Sequence, residues 1–411
     1  MTRASSPWLI AVTAGRWQLN GIRSAQAAGI RVFAIDADRN APSLALADHA
    51  LCAPIDDWNT IKEAILKAGI SPSGGVSFCS EAGIPAVASL RKQFGLPGPQ
   101  GEELLALFRK EEQRAAWESA GVPIPRWAVF QSPRECEEQV KQIGYPCIIK
   151  PTDSAGSRGV SVLSNSANST AQAARHALDF SKAKKGVVES YFRGTEYTVE
   201  TFSQGSECHV LAVTQKKKVS GSSDTVASEL RTVSPSDQKY AKLAEATRSA
   251  LKALGLPAGP GHTELILSSD QSLIVVETAP RGGGFNVFDR MIPAVSGFDI
   301  ARATAEISIG RHVRIPQLKS NAAILRFFPS QPGKVICLRG FDEHWGRPSD
   351  FSGSGVEAGA FVEVGHESGT ATTDGDRLGY VLSWAEDIGK AEELADEREN
   401  QVEIEIMEGR L

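Results

Sequence analysis

No apolar run in this chain reaches the roughly 18–20 residues needed to span a bilayer. The opening MTRASSPWLIAVTAG holds a short apolar stretch but no signal-peptide core or cleavage site, so it reads as a first buried strand. Basic residues are not in excess: 44 Lys and Arg against 49 Asp and Glu leave a formal net charge of −5. That balance argues against a nucleic-acid-binding surface. Cysteine is sparse. Cys52, Cys79, Cys136, Cys147, Cys208 and Cys337 contain no CxxC pair, so they make neither a disulfide framework nor a zinc site and suit a reducing cytoplasm. Repeats and low-complexity tracts are absent. The first strand runs into TAGRWQLNG rather than GxGxxG. This disfavours a dinucleotide-binding oxidoreductase, although Asp36 ends the second strand where a ribose ligand would sit.

What is present is 411 residues of ordinary globular composition, 41% hydrophobic and 23% charged, enough for two or three domains. Over the first hundred residues strands alternate with helices. WLIAVTAG, RVFAIDAD and GGVSFCSE are strand-like; LNGIRSAQAAG (stopping at Gly29), TIKEAILKAG and GIPAVASLRKQFG are helix-like. That order predicts a parallel, doubly wound sheet. A helical unit follows from about Glu102 to Ala120. From Tyr145 the texture becomes α+β: YPCIIKP, GVSVLS, GVVESYF, EYTVETFS, HVLAVTQ, TELILS and LIVVET are strands, with helices at Ser169–Phe180 and Lys239–Leu254. A third block begins near Ile315, with strands NAAILRFF and YVLSWA and a closing helix, IGKAEELADE.

KPTDSAGSRGVSVLS is the first chemical signal. A strand ending at Lys150 leads into a small-residue loop and out along a second strand. Small residues let backbone amides approach phosphate oxygens. The loop neither enters a helix nor carries GK[ST], so it is not a P-loop. It reads as a hairpin flap over a nucleotide; an exposed turn with a surface lysine fits the same pattern.

HTELILSSDQSLIVVETAPRGGG is the second. With a four-residue loop, Ser269–Ser272, Ser268 pairs with Leu273 and Glu264 falls opposite Glu277. Like charges across a buried hairpin repel. A hard divalent cation resolves this; a salt bridge to Arg281 or a lysine does so too. Arg281, beside three glycines, suits bidentate contact with a carboxylate or phosphoryl group.

These segments resemble the ATP-grasp superfamily over most of the chain. SEAGIPAVASLRKQFGLPGP and FRKEEQRAAWESAGVPIPRW are similar to the approach to its ATP-binding region. SAGSRG is similar to its phosphate lid, VVESYFRGTEYTVETF to its adenine hinge and ribose strand, and HTELIL with VVETAPRGGG to its metal hairpin. The resemblance implies a mixed α/β and α+β architecture. It comprises a pre-ATP-grasp parallel-sheet domain over 1–109, an ATP-grasp domain over 110–314 with a lid at roughly 120–195, and a small C-terminal α+β domain over 315–411. Carried over by position, it puts Lys110 and Lys150 on the phosphates under the lid loop Ser154, Ala155, Gly156, Ser157 and Gly159. Glu189, Ser190, Tyr191 and Phe192 form the adenine hinge, and Glu196 accepts from the ribose. Glu264 and Glu277 hold Mg²⁺ (or Mn²⁺), and Arg281 is the catalytic cation. Glu229, Arg231, Gly283 and Gly284 fall where relatives meet substrate. Ala279 departs from the family's asparagine and removes one ligand for a second metal ion. Lys216–Lys218 reads as a solvated charge run and His262 as a structural histidine.

The bicarbonate signature of the biotin-carboxylase type is missing, and RGGGFNVFDRMIPAVSGFDI stands there. That stretch, with AAILRFF and GDRLGYVLSWAED, is similar to the bacterial L-amino-acid (dipeptide) ligases. The implied activity is ATP-dependent joining of a small carboxylate to an amine through an acyl phosphate. The implied setting is cytoplasmic, without nucleic acid or membrane, and a homodimer is common in that branch. The alternatives are a purine-pathway ligase of the same superfamily and an ATP-binding protein without catalysis.

Overall fold

The computed structural model describes residues 6–154, 156, 158–165, 169–218, 226–343, 351–371 and 373–407. The sequence-predicted lid residues Ala155 and Ser157 lie outside these.

The chain opens with a parallel sheet of order β3-β2-β1-β4: β1 (Trp8–Val12), β2 (Arg31–Asp36), β3 (His49–Cys52) and β4 (Pro72–Val76). Its central strands are apolar runs buried on both faces, as a sheet covered by helices requires. The helices are α1 (Leu19–Ala27), α2 (Trp58–Lys67) and α3 (Ile84–Phe94). Asp57 caps α2 by accepting from the Thr60 amide, and Gly95 ends α3 in the left-handed region at φ 61°. The edge strand β3 was not anticipated; it is four residues long and mostly exposed, so it carries no apolar signature. A Cβ on Gly74 of β4 would collide with the Ser308 carbonyl, so glycine is what lets this sheet dock on the rest of the chain.

Two short helices follow, α4 (Gly101–Ala106) and α5 (Lys110–Ser119). Next comes an antiparallel sheet of order β5-β8-β6-β7, from β5 (Trp127–Phe130), β6 (Cys147–Pro151), β7 (Ser161–Leu163) and β8 (Gly186–Ser190). One face packs Phe130, Cys147, Ile149 and Val188 on α6 (Pro133–Ile143) and α7 (Thr170–Phe180). By alternation, the other face carries Ile148, Lys150 and Glu189.

The largest sheet has eight strands in the order β13-β12-β9-β10-β11-β14-β18-β16. Five precede residue 315: β9 (Thr195–Gln204), β10 (Glu207–Lys218), β11 (Ala227–Thr232), β12 (Gly259–Leu267) and β13 (Leu273–Ala279). β14 (Ala322–Pro329), β16 (Gly355–Ala360) and β18 (Arg377–Ala385) follow it, and β11–β14 pairing carries the sheet across that point without a break. One face packs on α8 (Gln238–Ala253) through Tyr197, Val199 and Leu265, and on α11 (Ile388–Glu399) through Ile324. The other face, through Phe202, Leu230, Leu325 and Phe327, shares a core with the N-terminal sheet and with α9 (Ile292–Ser296) and α10 (Ile300–Ser308). A three-stranded sheet, β17-β15-β19, completes the fold, from β15 (Gly333–Arg339), β17 (Glu367–Ser368) and β19 (Glu403–Met407). Among the described residues no helix is long and apolar enough to cross a membrane.

Candidate active site

The β12–β13 hairpin sets the geometry. Its loop is shorter than the four residues expected. Ser268 and Ser272 close it through a 2.9 Å amide-to-carbonyl bond, and Gln271 turns the chain at φ 68°, the three-residue type I turn with a left-handed last residue. Pairing therefore runs Leu267 to Leu273, Ile266 to Ile274 and Leu265 to Val275, one step off the expected register. A bulge at Val276 takes up the difference, and Glu264 stands opposite Glu277 after all.

β13 is an edge strand whose free side is bonded to α5 and to the residues just after it. The Val275 amide donates to Pro123 O (2.8 Å), Arg114 Nη2 to Val276 O (2.6 Å) and Gln113 Nε2 to Thr278 O (2.5 Å). These bonds hold α5 against the hairpin and place Lys110 over it. Lys110 Nζ lies 3.0 Å from Glu277 Oε1 and donates to Ser154 O at 2.9 Å. Burial opposes its charge, but Glu277 and Glu81 outweigh burial and raise its pKa.

The expected hinge, Glu189–Phe192, opens on a buried carboxylate: Glu189 lies between Arg114 Nη2 (2.7 Å) and Lys150 Nζ (2.8 Å). Burial pushes this carboxyl up, yet the two cations outweigh burial and hold it below the usual range. Its side chain fixes Lys150, and of the other three hinge residues Tyr191 lines a cavity of about 670 Å³ with Glu196, Lys216 and Lys218. The Ser190 and Tyr191 amides are bonded to Arg126 O and Pro146 O.

Glu196, Thr198 and Glu200 of β9 share a face with His262 and Glu264 of β12. Lys216 and Lys218 of β10 reach the same face. Lys216 Nζ lies 3.4 Å from Glu196 Oε2 and 3.7 Å from Glu264 Oε1, and Lys218 Nζ lies 2.5 Å from Glu196 Oε1. The lysine run is therefore no solvated turn; only Lys217, on the alternate face, is exposed. Lys216 is the largest influence holding Glu264 far below the carboxylate range. His262 Nδ1 meets Glu200 Oε1 at 2.5 Å, and Nε2 lies 3.6 Å from Glu264. Burial would lower this imidazole, but Glu200 and Glu264 outweigh burial and push it up to about 9.

Arg281 follows the hairpin and is gripped by Glu81 from the loop after β4, at 3.2 Å to Nε and 2.5 Å to Nη2. Its Nη1 donates to Gly282 O. Gly284 lines the cleft, whereas Gly283 is buried against Val287 and His262. The cleft holds about 420 Å³ between Glu81, Thr198, Lys216, His262, Glu264 and Arg281. An adjoining cavity of about 940 Å³ shares Phe285 and Arg377 with it.

Glu229 and Arg231 are not part of this cleft face. They project from β11 on the side that meets α11, where Glu229 binds Arg326 (2.8 Å) and Arg231 binds Glu392. Leu230, between them, faces the cleft. Residues that sequence reasoning passed over are Arg114, Glu200 and Glu81. Glu81 stood in the SEAGIP string at the end of a parallel strand, the place where open α/β sheets bind ligands.

Residues 143–289 match the family described as the ATP-grasp domain. The uncharacterized protein y4rH of Sinorhizobium fredii is 24% identical over 334 residues, covering 78% of this chain and 66% of that protein. The L-arginine-specific L-amino acid ligase of Bacillus subtilis is 22% identical over 284 residues, covering 64% of this chain and 65% of the ligase. The chain thus spans just under two thirds of the length of these relatives. Among solved structures, an L-amino acid ligase from Bacillus licheniformis superposes with a TM-score of 0.81 at 17% identity, over 98% of this chain and 100% of that one. Phosphoribosylglycinamide synthetase from Anaerococcus prevotii does so with a TM-score of 0.75 at 19% identity, again over 98% and 100%.

Proposed function

From the premise that this chain belongs to the ATP-grasp superfamily, we propose that it is an ADP-forming carboxylate–amine ligase. Its substrates on this reading are an amino acid or similar small carboxylate and an amine. The observation that carries the proposal is the Glu264–Glu277 pair, set across one hairpin with Lys110, Lys216 and Arg281 around it.

The donor set fits a hard divalent cation. Two carboxylates face each other on neighbouring strands, Glu264 in the cleft wall and Glu277 partly exposed beside it, and Ala279, buried opposite His262, adds no oxygen. Water and nucleotide would complete the shell. Magnesium, when bound, supplies charge that offsets the build-up on the transferring phosphoryl group.

The chain's own residues do the rest. Lys110 and Lys150 stand where the glycine-rich loop meets the cleft and bind phosphate oxygens, with Lys150 pre-set by Glu189. Glu196 accepts from the ribose once its lysines let go. The substrate carboxylate takes the γ-phosphoryl group and becomes an acyl phosphate; the amine then displaces phosphate. Arg281, aimed by Glu81, steadies the oxyanion of that second step. Closure of the loop keeps water from the acyl phosphate.

The likeness to a purine-pathway ligase supports a second reading, a phosphorylated acceptor. That acceptor needs cations for its phosphate. Arg16 and Arg377 line the adjoining cavity, but Arg16 already donates to Phe361 O and Arg377 to Ala227 O and Asp374. The small-carboxylate reading therefore stands ahead.

The test is ADP and phosphate release from Mg-ATP across amino acids offered singly and in pairs, with product masses. Release that needs two substrates, with a product equal to their sum less water, supports the ligase. Glu277→Gln should abolish turnover and keep the fold; wild-type turnover in that variant removes the metal assignment. Release with ribonucleotide amines alone would favour the second reading.

A further inference from the structure

Each hairpin carboxylate already carries a cation of this chain. Lys110 Nζ lies 3.0 Å from Glu277 and Lys216 Nζ lies 3.7 Å from Glu264, and both lysine side chains are largely buried. Each lysine also holds a group on the nucleotide side of the cleft. Lys110 holds the Ser154 carbonyl at the start of the glycine-rich loop, and Lys216 lies 3.4 Å from Glu196.

Two carboxylates facing across a buried hairpin need counter-charge, and here the chain provides it. A divalent cation arriving alone meets a neutralised pair with three positive charges within a few ångströms, the two lysines and the His262 imidazole 3.6 Å from Glu264, at an effective dielectric where such repulsion is large. A nucleotide triphosphate alters the balance, because its phosphates give both ammonium groups somewhere else to go.

Resting on the reading that Glu264 and Glu277 hold the divalent cation, we propose that Lys110 and Lys216 are stand-in cations. They close the metal site until a nucleotide triphosphate draws them off the carboxylates and onto its phosphates. Metal and nucleotide then bind with positive, reciprocal coupling. The same exchange frees the Ser154 carbonyl and the Glu196 carboxylate, so the ribose acceptor becomes available only when phosphates are in place. Lys110 and Lys216 act here as positioning residues.

The experiment is Mn²⁺ binding to the full chain, followed by electron paramagnetic resonance with and without a non-hydrolysable ATP analogue. Wild type should gain at least about tenfold in Mn²⁺ affinity from the analogue. Lys216→Met should bind Mn²⁺ without nucleotide about tenfold more tightly than wild type, and should show a smaller gain from the analogue. Lys217→Met makes the same change in net charge on the alternate face and should leave both affinities alone. Because Lys110 is deeply buried and Lys110→Met risks the fold, Lys216→Met is the deciding variant. Nucleotide-free affinity equal to wild type in Lys216→Met overturns the stand-in role. Mn²⁺ binding that survives Glu264→Gln and Glu277→Gln together overturns the metal reading beneath it; its loss there, with Lys216→Met unchanged, removes only the stand-in role.

Discussion

Replacing Glu189 by glutamine tests the buried triad directly. The carboxylate, 3% exposed, holds Arg114 at 2.7 Å and Lys150 at 2.8 Å. The amide keeps the shape but leaves two buried cations facing a neutral group. Breaking a buried ion pair from one side costs about 3–5 kcal/mol. The sheet of β5, β6, β7 and β8 has its own core, so the loss should fall there first. At a urea slope of about 2 kcal/mol/M, a cost of about 4 kcal/mol displaces the midpoint by roughly 2 M. The assay is urea unfolding followed by hydrogen exchange on peptides covering β5, β6 and β8, with binding of an ATP analogue measured on the same samples. Nucleotide affinity should fall too, since Lys150 loses its anchor. Adding Lys150→Met removes one stranded charge and should restore part of the lost stability. A displacement under about 0.5 M, with these peptides as protected as in wild type, would refute the reasoning. The effect also has a pH sign. The folded pKa lies below the ordinary glutamate value of 4.5, so the stabilisation is full above that value and is lost as pH falls through the folded one.

His262 titrates in the opposite sense. Its folded value of about 9 exceeds the ordinary histidine value of 6.5, so its stabilisation is complete below 6.5 and is lost as pH rises through about 9. Thermal melts of the metal-free protein across that window should show the loss, worth at most about 3 kcal/mol, and His262→Gln should flatten it. Arg231→Ala should leave kcat/KM within about twofold and cost about 1 kcal/mol, because its partner Glu392 belongs to α11; a large loss of turnover would put Arg231 back in the site. Gly74→Ala should cost about 2 kcal/mol or more in a urea melt, since the Ser308 carbonyl has no room to yield.

Local pattern made much of this legible. The alternation of WLIAV and RVFAID with helical periods announced the parallel sheet, and two glutamates thirteen positions apart announced a facing pair. Even there the register rested on two compensating departures, a shorter loop and a bulge at Val276, neither of which leaves a mark in residue types. What escaped was long-range. Lys216 looked like part of a charge run because nothing near it in sequence says that Glu196 and Glu264 stand beneath it. Glu229 and Arg231 were assigned by neighbourhood, but a strand turns every second side chain away, and the residue facing the cleft is Leu230. The burial of the Glu189 side chain depends on Arg114, which lies 75 positions earlier and leaves no local sign of the pairing.

The unbroken eight-stranded sheet bears on how such a molecule can be rebuilt. A chain cut at residue 314 would leave β11 as a raw edge, with its partners in β14 gone and Glu229 stripped of Arg326. Unpaired strand edges invite pairing with other chains, so a chain truncated there would be prone to stick to copies of itself. Grafting residues 1–314 onto a different C-terminal module therefore needs more than a linker. The new module must bring a strand that continues the β11 register, and a helix with acids where Glu392, Asp396 and Glu399 now receive Arg231 and Arg326.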